Sequence, residues 1–264
     1  MNVNNDINQL LNNLDPLQLR IELFRNGNFD FIVEGEDEDG NIVSHEKQRE
    51  ALEILTSGKY DEFLYGGAAG GAKTWTGCVW VMFTLLCYPE AKAFIGRKEL
   101  GDLIDSVKVT FDKVAKKYGF SDYKFNAVKN FIKFGNGSHI NLIEVAYKPS
   151  DPMYETVGST EYTIGWGEEI GEWHETAATV LGSRVGRHYN KRFPNGKLRE
   201  KPIKGTVLWT CNPKQNWGKT EFHDKAKNGT LEKTKAYLQC LITENPFIEK
   251  DYVEKLSKLS EKNK

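Results

Sequence analysis

Cysteine is scarce in this sequence: four residues in 264, at Cys78, Cys87, Cys211 and Cys240, with no CxxC pair among them. That spacing excludes a zinc ribbon and a disulfide framework, and predicts reduced, mostly buried thiols. Long apolar runs are also lacking. The longest, around Trp80 to Cys87, is far too short to span a bilayer and reads as part of a buried helix. The first residues, MNVNNDINQLLNNL, have neither the basic start nor the apolar stretch of a secretion signal, so an intracellular protein is expected. Net charge is nearly absent as well, at -1. The total announces no polyanion partner, but its distribution is uneven. Acids cluster at Glu34, Glu36, Asp37, Glu38 and Asp39, whereas residues 187–235 are basic, with Arg187, Lys191, Arg192, Lys197, Arg199, Lys201, Lys204, Lys214, Lys219, Lys225 and Lys227. Such asymmetry permits a phosphate-facing surface.

What remains is an ordinary globular composition, 39% hydrophobic and 28% charged. The length suits one large domain, with a polar arm and acidic turn over residues 1–43 and the folded domain over 44–264. A helix is expected over residues 44–55 with Ser44 as its N-cap. EFLYGG reads as a buried strand, KTWTGCVWVMFTLLCY as an apolar helix, and AKAFIGR as a second strand. Apolar residues at Leu100, Leu103, Ile104, Val107 and Phe111 predict a helix over residues 99–117. FIKF and HINLIEV flank Gly135-Asn136-Gly137 as a hairpin; YTIGWG and TVLWT are further strands, and a charged amphipathic helix follows Pro246. Strands alternating with helices predict an α/β domain with a largely parallel central sheet flanked by helices and a β-hairpin insertion.

The chemistry concentrates in two places. Gly67-Ala68-Ala69-Gly70-Gly71-Ala72-Lys73-Thr74 fits the phosphate-binding loop, with alanine where glycine precedes the lysine. Small residues let backbone N–H groups turn toward phosphate oxygens at the positive end of the following helix. Lys73 then neutralises the β- and γ-phosphates of ATP, and the Thr74 hydroxyl ligates Mg²⁺. Ala72 brings a steric cost if that position needs positive φ. The second place is Glu168-Glu169, after the strand YTIGWG: Glu168 is assigned to the metal and Glu169 to the attacking water as general base. Two departures stand out: glutamate takes the place of the usual first aspartate, and Gly165 and Gly167 sit where bulkier residues are expected.

Together these motifs, from about residue 44 to the final helix, resemble the large terminase subunit of tailed bacteriophages. SHEKQREAL is similar to the segment ahead of the loop, where the family's glutamine contacts adenine; Gln48 is the match. IGRKELGDLIDSV resembles the stretch that begins with an arginine, here Arg97, and GNGSHINLI resembles the family's hairpin. WTCNPKQNWGKTEF resembles the coupling motif, and carries over Thr210 and Asn212 beside the γ-phosphate. ENPFIEKDYVEKL is similar to the end of the ATPase half.

The resemblance implies a P-loop NTPase of the ASCE type (a P-loop strand separated from the acidic strand by one other). It implies an ATP-hydrolysing motor that moves double-stranded DNA into a procapsid through backbone contacts, with the basic stretch from Arg187 to Lys227 as part of that contact. It further implies a homo-oligomeric ring on the portal protein, a small terminase subunit as partner, and a place in the host cytoplasm. Nothing resembles the family's nuclease, so DNA cleavage is not expected. An arginine finger is required, with Arg97, Arg184 and Arg187 as candidates, in cis or across a subunit boundary. A nucleotide-binding module without turnover and a helicase-like ATPase remain alternatives; a small-molecule kinase is weaker, lacking a lid signature.

Overall fold

The computed structural model describes residues 15–249, 251 and 252. The start of the polar arm and all but the first turn of the helix expected after Pro246 lie outside the described residues. Ahead of residue 44 stand helices α1 (Pro16–Arg25) and α2 (Asp30–Val33) and a two-stranded ribbon, β1 (Glu34–Glu36) with β2 (Ile42–Ser44). Ile21, Phe24, Phe29, Ile32 and Val33 of this segment belong to the main core.

Helix α3 spans Glu46–Thr56. Its cap is His45, whose Nδ1 accepts from the Gln48 N–H at 3.2 Å, and not Ser44 as expected. Ser44 is held in the ribbon opposite Glu34, and its hydroxyl accepts from Arg49 instead.

Eight strands form the large sheet: β3 (Glu62–Gly67), β4 (Lys92–Arg97), β5 (Tyr123–Asn126), β6 (Phe131–Phe134), β7 (His139–Glu144), β8 (Ile164–Gly167), β9 (Val207–Cys211) and β10 (Lys235–Cys240). Their order is β10-β3-β9-β8-β4-β7-β6-β5. All pairs from β10 to β7 are parallel, and β6 and β5 add an antiparallel end. The expected α/β class, parallel sheet and hairpin are thus present, and β9 separates the P-loop strand β3 from the acidic strand β8, as the ASCE arrangement requires. The two strands absent from the sequence reading, β5 and β10, are the sheet's edges, where half the residues face solvent and the apolar signal is diluted.

Parity along the strands divides the core. Phe63, Tyr65, Ala93, Ile95, Ile140, Leu142, Ile164, Trp166 and Leu208 face one layer, formed by α4 (Lys73–Cys87), α3, α1 and the helix α5 (residues 100–118). Leu64, Phe94, Val207 and Trp209 face the other, where α6 (Glu175–Gly182), Ile170, Trp173 and Phe222 pack. Helix α4 is apolar almost all round because it is buried almost all round. The helix α5 begins at Leu100, widens to π geometry over Leu103–Lys108, and continues as Val109–Tyr118. All four cysteines are buried free thiols. No helix among the described residues is long and apolar enough to cross a membrane.

The glycines of β8 have a packing reason. A Cβ on Gly165 would lie 2.2 Å from the Phe94 ring, and one on Gly167 would lie 2.6 Å from the Trp209 indole. Large aromatic side chains from the neighbouring strands fill the space that bulkier residues on β8 would otherwise take. Gly165→Ala is therefore expected to cost about 1–3 kcal/mol by overpacking. Urea unfolding measures it, and a midpoint equal to wild type would contradict the packing described.

Candidate active site

Strands β3, β8, β9 and β4 end on the same edge of the sheet, and their first residues beyond the edge build one site. The loop from Gly67 to Ala72 leaves β3 and enters α4. Gly67 has φ 131°, and a Cβ there would lie 1.9 Å from the Cys240 carbonyl oxygen, so only glycine fits. Ala72 has φ 55° and ψ 18°, the left-handed conformation for which the sequence raised a steric cost. Its carbonyl accepts from the Thr76 N–H and hydroxyl, which fixes the first turn of α4.

The Lys73 ammonium is buried and donates to three oxygens: Gly67 O at 2.9 Å, Ala68 O at 2.8 Å and Asn212 Oδ1 at 3.1 Å. Burial lowers its pKa, while the Glu169 carboxylate acts in the opposite direction. Asn212, just past β9, uses its other amide atom as well: Nδ2 donates to Glu169 Oε1 at 2.8 Å, and its backbone N–H donates to Glu169 Oε2 at 3.3 Å. Asn212 therefore joins the lysine to the glutamate. Glu169 itself has φ 50° and ψ 48°, an uncommon backbone for a non-glycine residue of the kind stored at functional sites.

Glu168 turns the other way and is 4% exposed. Its Oε1 accepts from the Thr74 hydroxyl at 2.8 Å, and its Oε2 lies 3.2 Å from Arg97 Nη1 without accepting a hydrogen bond. Burial pushes the Glu168 carboxyl above its ordinary range, and the Thr74 hydrogen bond and the Arg97 charge pull it back. Arg97 is fixed in turn by Ser106 Oγ at 2.7 Å, from the π-helical stretch of α5.

A cavity of about 630 Å³ opens over this edge, lined by residues 69–75 of the loop together with Glu169 and Asn212. Its far wall is Thr110, Asn245, Ile248, Glu249 and Tyr252. Asn245 Nδ2 donates to Gly70 O at 2.6 Å, so the segment after β10 is tied to the loop. Among these wall residues only the resemblance of ENPFIEKDYVEKL offered any signal, and it assigned no contact.

Other expected site residues stand apart from the cavity wall. Gln48 is 3% exposed on the first turn of α3, and its Nε2 donates to no described residue, but it does not line the cavity. Thr210 is buried below the edge, where its hydroxyl accepts from Trp166 Nε1 at 3.1 Å and faces the Gly167 carbonyl at 3.5 Å. Arg184 and Arg187 are joined through their backbones to Tyr162, ahead of β8, at the end of that strand opposite to Glu168. Within this chain, only Arg97 of the three arginines reaches the site.

No family model and no curated protein matches this chain. Solved structures do. The large terminase of the thermophilic bacteriophage D6E superposes with a TM-score of 0.59 at 18% identity, over 80% of this chain and 48% of that one. The same terminase in complex with ADP gives 0.59 at 19% identity, and in complex with ATP-gamma-S gives 0.56 at 17%, each over 80% of this chain and 48% of that one. The fold is that of the matched half of those phage large terminases. The chain spans about half the length of those terminase chains, and at such identities the likeness speaks for the fold and not for the chemistry.

The left-handed Ala72 is open to a direct check. Alanine in that conformation costs roughly 1–2 kcal/mol that glycine avoids, against a smaller entropic penalty for glycine in the unfolded chain. Ala72→Gly should raise stability by up to about 1 kcal/mol in urea unfolding. A loss of that size would mean that the loop does not need positive φ there.

Proposed function

We propose that this chain hydrolyses ATP, and that turnover moves double-stranded DNA as the motor of a viral packaging machine. The observation that carries the reading is the run Lys73–Asn212–Glu169 on the cavity wall, beside Thr74, whose hydroxyl leads back to Glu168 and Arg97. A cation for phosphate, a carboxylate for water and an amide touching both are what phosphoryl transfer to water needs. The D6E terminase complexes with ADP and ATP-gamma-S support the same reading.

The loop amides and the N-terminus of α4 bind the phosphates, and Lys73 neutralises charge between the β and γ groups. Glu169 takes a proton from water as its oxygen attacks the γ-phosphorus, while the bond from that phosphorus to the β–γ bridging oxygen breaks and ADP leaves. Asn212 orients Glu169 and, through Lys73, responds to the presence of the γ-phosphate. Thr74 and Glu168 fit Mg²⁺: both offer hard oxygen atoms, and Glu168 Oε2 is buried without a hydrogen-bond donor. Bound there, Mg²⁺ would neutralise charge developing on the phosphate oxygens. Arg97 favours the ionised form of Glu168, in opposition to its burial. Gln48 is assigned to adenine, and Thr210 steadies the strand that carries Asn212. A finger role for Arg184 or Arg187 needs a neighbouring copy, since both lie at the far end of β8. The ring, the portal protein, the small terminase subunit and a cytoplasmic site of action complete the proposal.

Phosphate release with Mg²⁺ over a protein concentration series tests this. Glu169→Gln should lower kcat by about 10²–10⁴-fold with nucleotide still bound, the usual worth of a general base. Lys73→Ala should lose binding as well. Wild-type turnover in Glu169→Gln would remove the assigned base. Turnover per subunit that rises with concentration would support completion by a neighbour.

Arg97 makes a separate prediction in pH. Its charge lowers the Glu168 pKa, so Arg97→Ala should raise that pKa further and move the acid limb of the rate profile to higher pH. An acid limb that stays in place would show that Glu168 does not need Arg97 to ionise.

A further inference from the structure

Four bases of the stretch from Arg187 to Lys227 are already engaged within the chain. Lys204 pairs with Asp61, Lys219 with Asp224, and Lys225 with Glu221 and Glu232. Arg199 is buried, donating to the Tyr189 and Pro89 carbonyls.

A different set of bases is assembled by strand register. Lys92 on β4 stands opposite His139 on β7, His139 opposite Lys133 on β6, and Lys133 opposite Lys124 on β5. Directly opposed residues project to the same side of a sheet, so four bases stand abreast over three strand spacings, about 14 Å. Their neighbours Ala93, Ile132, Phe134 and Ile140 point into the core, which puts the row on the opposite side. A second row on that face runs Asn126, Phe131, Asn141. Neither row contains an acid. Lys124 and Lys133 are exposed and the other members half-buried. None of the three lysines is in an ion pair with a described residue.

Acids stand at both ends of the row: exposed Asp122, two positions before Lys124, lies beside Gly135 at the β5 end, and two more stand at the β4 end. Glu161 lies 3.9 Å from Arg187 and near Lys92, and Glu90 adjoins His188. The His139 imidazole, beside Phe131, is pushed down to about 4, first by burial and then by the charges of Lys92, His188 and Lys133.

We propose that this face of the sheet, Lys124–Lys133–His139–Lys92, binds the phosphate backbone of duplex DNA. The inference rests on the reading that DNA is what the motor moves, and gives that contact an address. Cations flanked by neutral amides match a polyanion, and neither row itself sets an acid among them. The face is a strand surface with no helix or loop of the row projecting from it to enter a groove, which suits contact to phosphate and not to base edges. A motor that must pass any sequence needs that kind of contact.

The test is fluorescence anisotropy of a labelled random-sequence duplex over a salt series, without nucleotide. It compares wild type, Lys124→Glu/Lys133→Glu, the milder Lys124→Ala/Lys133→Ala, and a control pair, Lys113→Glu/Lys116→Glu, exposed on α5 in the other layer. Both row variants should bind at least about tenfold more weakly and lose about 2 from the log–log salt slope, one for each phosphate contact removed. The control should keep the wild-type slope. Equal losses in row and control variants would overturn the proposal as a net-charge effect. No binding of duplex by wild type, or tighter binding of single strands, would overturn it as well. Nucleotide turnover without DNA, measured on the same proteins, should be unchanged in the row variants. Absent turnover with the row-dependent binding intact would sink the motor's chemistry and leave this surface standing.

Discussion

The active edge depends on one buried ammonium. Lys73 cannot lie in a low-dielectric pocket without acceptors, because an isolated buried charge costs far more than a single hydrogen bond returns. The acceptors come from two places at once: the carbonyls of Gly67 and Ala68, and the Asn212 amide at the end of β9. Meeting them requires β3 and β9 to end side by side and Gly67 to pass against the Cys240 carbonyl without a side chain. It also requires the chain to enter α4 through a left-handed residue. The loop conformation, the strand order and the Asn212–Glu169 contact are therefore linked: each is a condition for keeping the same charge solvated by protein.

Much of this was legible from residues alone, and the reason is locality. The loop, its strand and its helix are contiguous, so small residues at Gly67 to Ala72 followed by Lys73-Thr74 identify the unit within a few positions. Glu168-Glu169 and Asn212 each follow a short apolar strand that announces itself. Less legible was everything fixed by distant packing. Arg97, Arg184 and Arg187 look alike in sequence, and only the direction of β8 puts Arg184 and Arg187 at the far end and Arg97 beside Glu168. The glycines of β8 looked like a departure until Phe94 and Trp209 were seen to occupy their space. The Ser44 cap failed because the residue was already committed to a ribbon pair with Glu34.

Charge along the chain is incomplete evidence for a related reason. A run of lysines and arginines is conspicuous in one dimension, yet several of its members fold back onto acids or into the core. Lys92, Lys124, Lys133 and His139 are unremarkable along the chain and spread over 47 positions, from Lys92 to His139. Register is what joins them, since strand pairing brings one residue from each strand onto a common line. A surface for a polyanion can thus be written in pairing where it is not written in composition.

The two halves of the sheet then carry different work by geometry. Strands β3, β9 and β8 are covered by packed layers on both faces, which is what holds loop, amide and carboxylates in register to within hydrogen-bond distance. Toward β5 the second layer stops, and the strands present one face to solvent. Strand β4 belongs to both halves: Lys92 stands at its start, in the basic row, and Arg97 at its end, on Glu168. The surface proposed for DNA and the site proposed for hydrolysis thus share a single six-residue strand.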